Sequence, residues 1–200
     1  MAPAGFRLYP DFFDAQGQCA LRDTVLAAAA NAPFYRAITP SGKWMSVEMT
    51  NLGSLGWVTD AAGYRYQRLH PHTGRPWPAI PPILLDLWRS VAPAGPVADV
   101  CLVNLYRAGA RMGPHQDRDE ADFGFPVVSV SLGDTAIFRI GGATRRAPSQ
   151  SLRLASGDVC ILAGEARLAF HGVDRILAGS SRLIDGGGRL NLTLRRAAPA

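Results

Sequence analysis

The chain has 200 residues, 48% of them hydrophobic and 18% charged, with a formal charge of +5 and a pI near 9.6. That length makes one domain the default and allows a sizeable core; no apolar run approaches the ~20 residues a membrane span needs. Met1 to Pro10 lacks the basic-then-apolar order of a secretory leader, and the three cysteines (Cys19, Cys101, Cys160) form no CxxC and no even set, so a reducing, cytoplasmic setting is expected. The basic balance suits a polyanionic partner and equally an ordinary basic protein. Twenty of the 21 basic residues are arginine, Lys43 being the exception, a skew that carries no argument alone.

Along the chain, Ala2 to Gly5 and Ala197 to Ala200 read as frayed ends. A helix is predicted from about Asp14, as N-cap, to Ala30. Met45 to Trp77 mixes Gly, Trp and Tyr with short strand-like pieces and reads as an appended sheet or lid. A second helix starts near Pro81-Pro82, with Ile80, Ile83, Leu84, Leu87, Trp88 and Val91 at helical spacing, and stops at Pro93 and Gly95. From Asp99 onward, short apolar runs alternate with Gly-rich breaks. The predicted strands are Val100 to Tyr106, Val127 to Leu132, Ala136 to Ile140, Ser151 to Leu154, Val159 to Leu162, Arg167 to His171 and Arg189 to Arg195. Such spacing predicts an antiparallel sandwich or barrel.

Three positions carry metal chemistry. His115 and Asp117, two apart, point the same way on extended chain, and His171 supplies a third ligand. Two histidines and a carboxylate with the remaining positions open form the facial triad of non-haem Fe(II) oxygenases. A lone HxD is a weak signal and a strand histidine is commonly structural; the last strand shifts the balance. There Leu190, Leu192 and Leu194 face one way, and Arg189, Asn191, Thr193 and Arg195 the other. Asn104 and Tyr106 make a similar pair on another strand. A polar barrel interior is costly unless a ligand satisfies it. Two guanidinium forks, two amides and a phenol suit a small dicarboxylate. Iron beside a dicarboxylate points to 2-oxoglutarate, with O2 taking the position left open.

The chain resembles the bacterial AlkB DNA-repair dioxygenases from about Met45 to Arg196. The stretches that carry the resemblance include Met45-Ser46-Val47, Met49-Thr50-Asn51, Leu55-Gly56-Trp57, Pro76-Trp77-Pro78, Asn104-x-Tyr106 and His115-Gln116-Asp117-x-Asp119-Glu120. They continue through Val128 to Gly133, Gly157-Asp158-Val159, Gly164-Glu165-x-Arg167-Leu168, His171-Gly172 and Asn191-Leu192-Thr193 between the arginines. The resemblance implies a mainly β fold with flanking helices: a double-stranded β-helix, or jelly-roll, core with an N-terminal nucleotide-recognition lid. It divides one dioxygenase domain over 1–200 into a helical extension (about 1–44), lid and supporting helix (45–98) and catalytic core (99–196).

It further implies Fe(II) on His115, Asp117 and His171. Arg189 with Tyr106 would hold the far carboxylate of 2-oxoglutarate, and Asn104, Asn191 and Arg195 would lie toward its chelating end. On the substrate side it implies Trp57, Tyr64 and Met49 around a base flipped from the stack. His171 would help sandwich that base, and Asp119 would favour a cationic ring such as 1-methyladenine or 3-methylcytosine. Arg145 would line the pocket and Arg111 would contact phosphate in place of a lysine. The implied reaction is oxidative demethylation of alkylated, mainly single-stranded DNA, with double-stranded DNA as a further substrate, by a monomer. The same chemistry on RNA, protein or a small molecule is the competing reading. A non-catalytic nucleic-acid-binding or 2-oxoglutarate-sensing module is the third, set against a complete ligand set. Pro114 is a departure, since it restricts Gly113 just before the first ligand, and Thr59 to Arg75 matches only in part. His70-Pro71-His72 reads as a polar loop with no third ligand spaced to join it.

Overall fold

The computed structural model describes residues 2–199. In chain order the elements are β1 (Phe6–Tyr9), α1 (Ala15–Ala29), β2 (Tyr35–Ile38), β3 (Trp44–Gly53), β4 (Gly56–Asp60), β5 (Gly63–Gln67), α2 (Pro82–Val91), β6 (Val100–Tyr106) and β7 (Met112–His115). They continue with β8 (Val127–Gly133), β9 (Ala136–Ile140), β10 (Gln150–Leu154), β11 (Val159–Leu162), a 3-10 helix (Gly164–Leu168), β12 (His171–Ile176) and β13 (Arg189–Arg195). A seven-stranded sheet runs β1-β11-β8-β13-β6-β3-β2, and a four-stranded sheet runs β10-β9-β12-β7. Both are antiparallel, and β4–β5 form a separate hairpin. This is the jelly-roll class of fold.

Two apolar layers follow from strand alternation. Leu190, Leu192 and Leu194 of β13 join Cys101, Val103 and Leu105 of β6 beneath Leu21 and Val25 of α1 and Leu84 and Trp88 of α2. The opposite face turns Leu102 and Tyr106 toward Phe138, Ile140 and Val173 of the smaller sheet. Arg189, Asn191, Thr193 and Arg195 therefore lie between the sheets, and all four are buried. A solvated polar face for β13 is thereby excluded.

Both predicted helices form. Asp14 caps α1 by accepting from the Gly17 amide at 2.7 Å, and α2 begins with Pro82, whose missing N–H costs nothing in the first turn. Five expectations differ. The 1–44 segment is not a helical extension alone: β1 and β2 are the two edge strands of the large sheet. Ala2 to Gly5 is not frayed throughout, because Ala4 and Gly5 carbonyls accept from the Ala166 and Ala163 amides at 2.9 and 3.2 Å. At the other end the Ala197 and Ala198 amides donate to Asp99, and Ala200 lies outside the described residues.

Met45 to Trp77 is likewise divided. β3 pairs with β6 inside the large sheet, and only the β4–β5 hairpin stands apart. Finally, the predicted strand over 167–171 is a 3-10 helix followed by the start of β12 at His171. Gly164 at φ 52 opens the turn, Arg167 turns inward to buried acceptors, and Ala169 still donates to the Ala166 carbonyl, so backbone pairing begins only at Phe170, opposite Gly141 and Gly142.

Candidate active site

His115 is the last residue of β7 and His171 the first of β12, and the two are cross-strand partners. Between Val173↔Met112 and His171↔His115 the register slips by one residue on β7, a bulge that accommodates Pro114 on an edge strand. A Cβ on Gly172 would meet the Met112 carbonyl oxygen at 2.5 Å and Gly113 backbone at 3.0 Å. Only glycine lets the two strands approach closely enough to oppose the histidines.

Each ring is oriented by its own backbone. His115 Nδ1 lies 2.9 Å from the Gly113 carbonyl and His171 Nδ1 lies 3.0 Å from that of Ala169. A carbonyl only accepts, so both Nδ1 atoms carry the proton and both Nε2 atoms are free to coordinate. Asp117 sits between them, 3.7 Å from His115 Nε2 through one oxygen and 3.8 Å from His171 Nε2 through the other. The three ligand atoms lie within 4.8 Å of one another. Burial opposes charge on Asp117, but Arg195 and the two histidines hold its carboxyl well below the usual range. Burial pushes His171 down to about 4, against the pull of Asp117. An ionised carboxylate and a neutral imidazole are the states a divalent metal requires.

The ligands open into a cavity of about 480 Å³ that reaches between the sheets. At its inner end Arg189 is 1% exposed. Its Nη2 donates to Ser131 Oγ at 3.0 Å and its plane lies over the Tyr106 ring at 5.4 Å, yet among the described residues Nε and Nη1 have no partner. Burial pulls this guanidinium below its usual range. Asn104 Oδ1 is also without a partner among the described residues. A buried cation lacking an anion is costly, and a dianionic ligand reaching from the metal to Arg189 removes the cost. The residues present thus fit both an iron and 2-oxoglutarate.

The other expected positions divide. Asn191 lines the cavity but spends its amide on Ser129 Oγ at 2.6 Å and the Val130 carbonyl. Arg195 lines it too, with Nη2 at 2.9 Å from Asp117 Oδ1. Met49 lies in the cavity wall, fully buried. At the mouth, Trp57 and Tyr64 stack with centroids 5.6 Å apart and an 18° interplanar angle. Trp57 Nε1–H donates to Asp119 Oδ2 at 2.7 Å. Asn51 holds the Trp57 backbone through both its N–H and its carbonyl. Trp77 packs under the hairpin against Gly56, where a Cβ would collide with the indole at 2.4 Å. Arg145 lines the mouth, bonded to the Pro114 carbonyl and set over Phe170. Arg111 is exposed outside the cavity lining, its backbone tied to Ser46.

His70 is no ligand: Nε2 faces the Pro33 carbonyl, and Nδ1 accepts from the His72 and Thr73 amides. Residue-by-residue reading assigned no role to Tyr66, Glu120 or Arg167, which form a buried network behind Asp117. Glu120 sits in the charge run Asp117 to Glu120, which looks solvated in sequence. Its burial shows only when Arg167, 47 positions on, is placed beside it.

Comparison with known proteins agrees with this geometry. The family described as "2OG-Fe(II) oxygenase superfamily" matches residues 5–195. An "Alpha-ketoglutarate-dependent dioxygenase AlkB homolog" from Caulobacter vibrioides is 65% identical over 196 residues, covering 98% of this chain and 89% of that protein. "Alpha-ketoglutarate-dependent dioxygenase AlkB" from Escherichia coli K12 is 45% identical over 174 residues, covering 84% and 80%. The solved structure of OsALKBH1 superposes with a TM-score of 0.80 at 32% identity, covering 98% of both chains.

Proposed function

The chain belongs to the 2OG-Fe(II) oxygenase superfamily and, within it, to the bacterial AlkB family, and from that membership we propose that it oxidatively removes alkyl groups from ring nitrogens of DNA bases. Fe(II) is the metal, and 2-oxoglutarate and O2 are the co-substrates. The observation that carries the reading is the buried, half-unpartnered guanidinium of Arg189 at the end of a cavity whose other end holds three convergent metal ligands.

In this reading His115, Asp117 and His171 hold iron. Arg189 and Tyr106 take the far carboxylate of 2-oxoglutarate, with Asn104, Asn191 and Arg195 nearer the metal. When bound, iron and 2-oxoglutarate supply the oxidation of the N-methyl carbon, which leaves as formaldehyde while 2-oxoglutarate leaves as succinate and CO2. The protein's own share is positioning and charge. Asp117 is kept ionised and His171 neutral. The apolar wall from Met49 to Phe138 keeps bulk water from the reacting end.

A base must leave its stack to reach this depth. Trp57 and Tyr64 on the hairpin then serve as the nucleotide-recognition lid, and the base inserts beside Trp57 over His115 and His171. Asp119 pairs with a cationic ring such as 1-methyladenine or 3-methylcytosine once the indole N–H releases it, and a neutral base gains less there. Arg145 lines the base pocket at its mouth, and Arg111 contacts a flanking phosphate. Single-stranded DNA is the preferred substrate because it avoids the cost of unpairing. One chain supplies every part, so the active form is a monomer, and its free cysteines suit the cytoplasm.

The test is formaldehyde release from a DNA oligonucleotide carrying 1-methyladenine, run beside the same sequence as RNA and beside free nucleosides. Release from DNA above both supports the reading. Turnover of 2-oxoglutarate driven only by a free small molecule overturns it.

A further inference from the structure

Glu120 follows Asp119 and points the opposite way, into protein, with its side chain 1% exposed. A carboxylate at that depth needs partners. Arg167 Nη2 donates to Oε2 at 2.9 Å, and the Tyr66 hydroxyl donates to Oε1 at 2.5 Å. Arg195 Nε lies 3.6 Å from the same Oε1, while its Nη2 reaches Asp117. Arg167 completes a clamp on the loop that follows β7. Nη1 donates to the Asp117 carbonyl at 2.6 Å and Nε to that of Phe125 at 2.9 Å. One carboxylate therefore touches a hairpin side chain and sits beside the guanidinium that orients a metal ligand.

Tyr66 lies directly across the hairpin from Trp57. Two side-chain contacts thus join the hairpin to the metal-bearing loop: Trp57 to Asp119, which is exposed, and Tyr66 to Glu120, which is buried. They differ in what a ligand does to them. Asp119 lines the open cavity, so a cationic base competes with the indole for it. Glu120 lies behind the ligands, and its charge-assisted bond is shielded from water.

We propose that Glu120 is a positioning residue that keys the hairpin to the metal centre. Through Tyr66 it holds β4–β5 in register while Trp57 releases Asp119 to admit a base, and through Arg195 it keeps Asp117 aimed at the metal. The proposal rests on the reading of the hairpin as the base-recognition element.

Two variants separate this role from ordinary packing: Tyr66→Phe removes one hydroxyl, and Glu120→Gln keeps shape and loses charge. In hydrogen exchange on the metal-free full chain, Gly56 to Gln67 exchanges faster in both variants while β6 and β13 stay unchanged. In turnover, Tyr66→Phe raises KM for a 1-methyladenine oligonucleotide about 5- to 10-fold, more than it raises KM for 2-oxoglutarate. Glu120→Gln also weakens Fe(II) affinity about 10-fold. Unchanged hairpin exchange in Tyr66→Phe, or a rise spread evenly over the large sheet, overturns the proposal. Local hairpin loosening in an enzyme whose wild type ignores methylated oligonucleotides upholds the keying and removes only the base-recognition reading.

Discussion

Asp117 is asked to do two things at once: keep a full charge while buried, and leave an oxygen for the metal. Arg195 beside one oxygen makes the first possible. Asp117→Ala is expected to cut turnover more than about 100-fold while oligonucleotide binding, proposed to rest on the hairpin and arginines away from the metal ligands, is largely retained; full activity in that variant would discard the ligand assignment. At the far end of the cavity, Arg189→Lys keeps a charge but loses the fork. Losing one charge-assisted hydrogen bond raises KM for 2-oxoglutarate about 10- to 100-fold, and steady-state titration at saturating oligonucleotide reads it directly.

His171 gives a pH signature in the metal-free protein. Its folded pKa is pushed down to about 4 from a usual 6.5, chiefly by burial. Above pH 6.5 both folded and unfolded states are neutral and nothing is lost. As pH falls from 6.5 toward 4 the unfolded chain takes up the proton and the folded one does not, so stability declines by up to about 3 kcal/mol. Asp117, held low, adds its own loss only below the ordinary carboxylate range. Urea midpoints at pH 7.5 and 5.0 measure the difference; a midpoint that is flat or rises on acidification contradicts it.

Among the elements, the pair β7 and β12 matters most, because their bulged register sets the two histidines opposite each other. Gly172→Ala forces a methyl against the Met112 and Gly113 backbone. The strands must part, and a shift of a few tenths of an ångström at the ligands is expected to lower Fe(II) affinity about 10- to 100-fold with the fold retained. Circular dichroism and Fe(II) titration together check this, and wild-type affinity would show that the approach is not needed.

The strands that alternate strongly were readable in sequence: β6 and β13 declare their apolar and polar faces, and the burial of the polar face follows once a second sheet lies over it. The four-residue strands β1 and β2 were not, since so short a run has no period and pairs only because β11 and β3 offer an edge. β3 was hidden by its Gly and Trp neighbours. The stretch from Gly164 to Leu168 misled because apolarity without alternation does not distinguish a strand from a 3-10 turn.

Across the whole molecule, the seven-stranded sheet supplies Arg189 and Arg195, the four-stranded sheet supplies His115 and His171, and the hairpin closes the mouth. The proposed metal and dicarboxylate ends of the site stand out in sequence because each rests on residue types few other chemistries need. Glu120 and Arg167 were not, because a pair whose members are distant in sequence has no local pattern. No helix among the described residues is long and apolar enough to cross a membrane.

Base demethylation is decided by following formaldehyde and succinate together, with 1-methyladenine and 3-methylcytosine placed in single- and double-stranded oligonucleotides. About one formaldehyde per succinate is expected on both lesions, faster on single strands because no base pair has to open. Succinate formed without formaldehyde on every oligonucleotide, at the rate seen with none added, would contradict base demethylation.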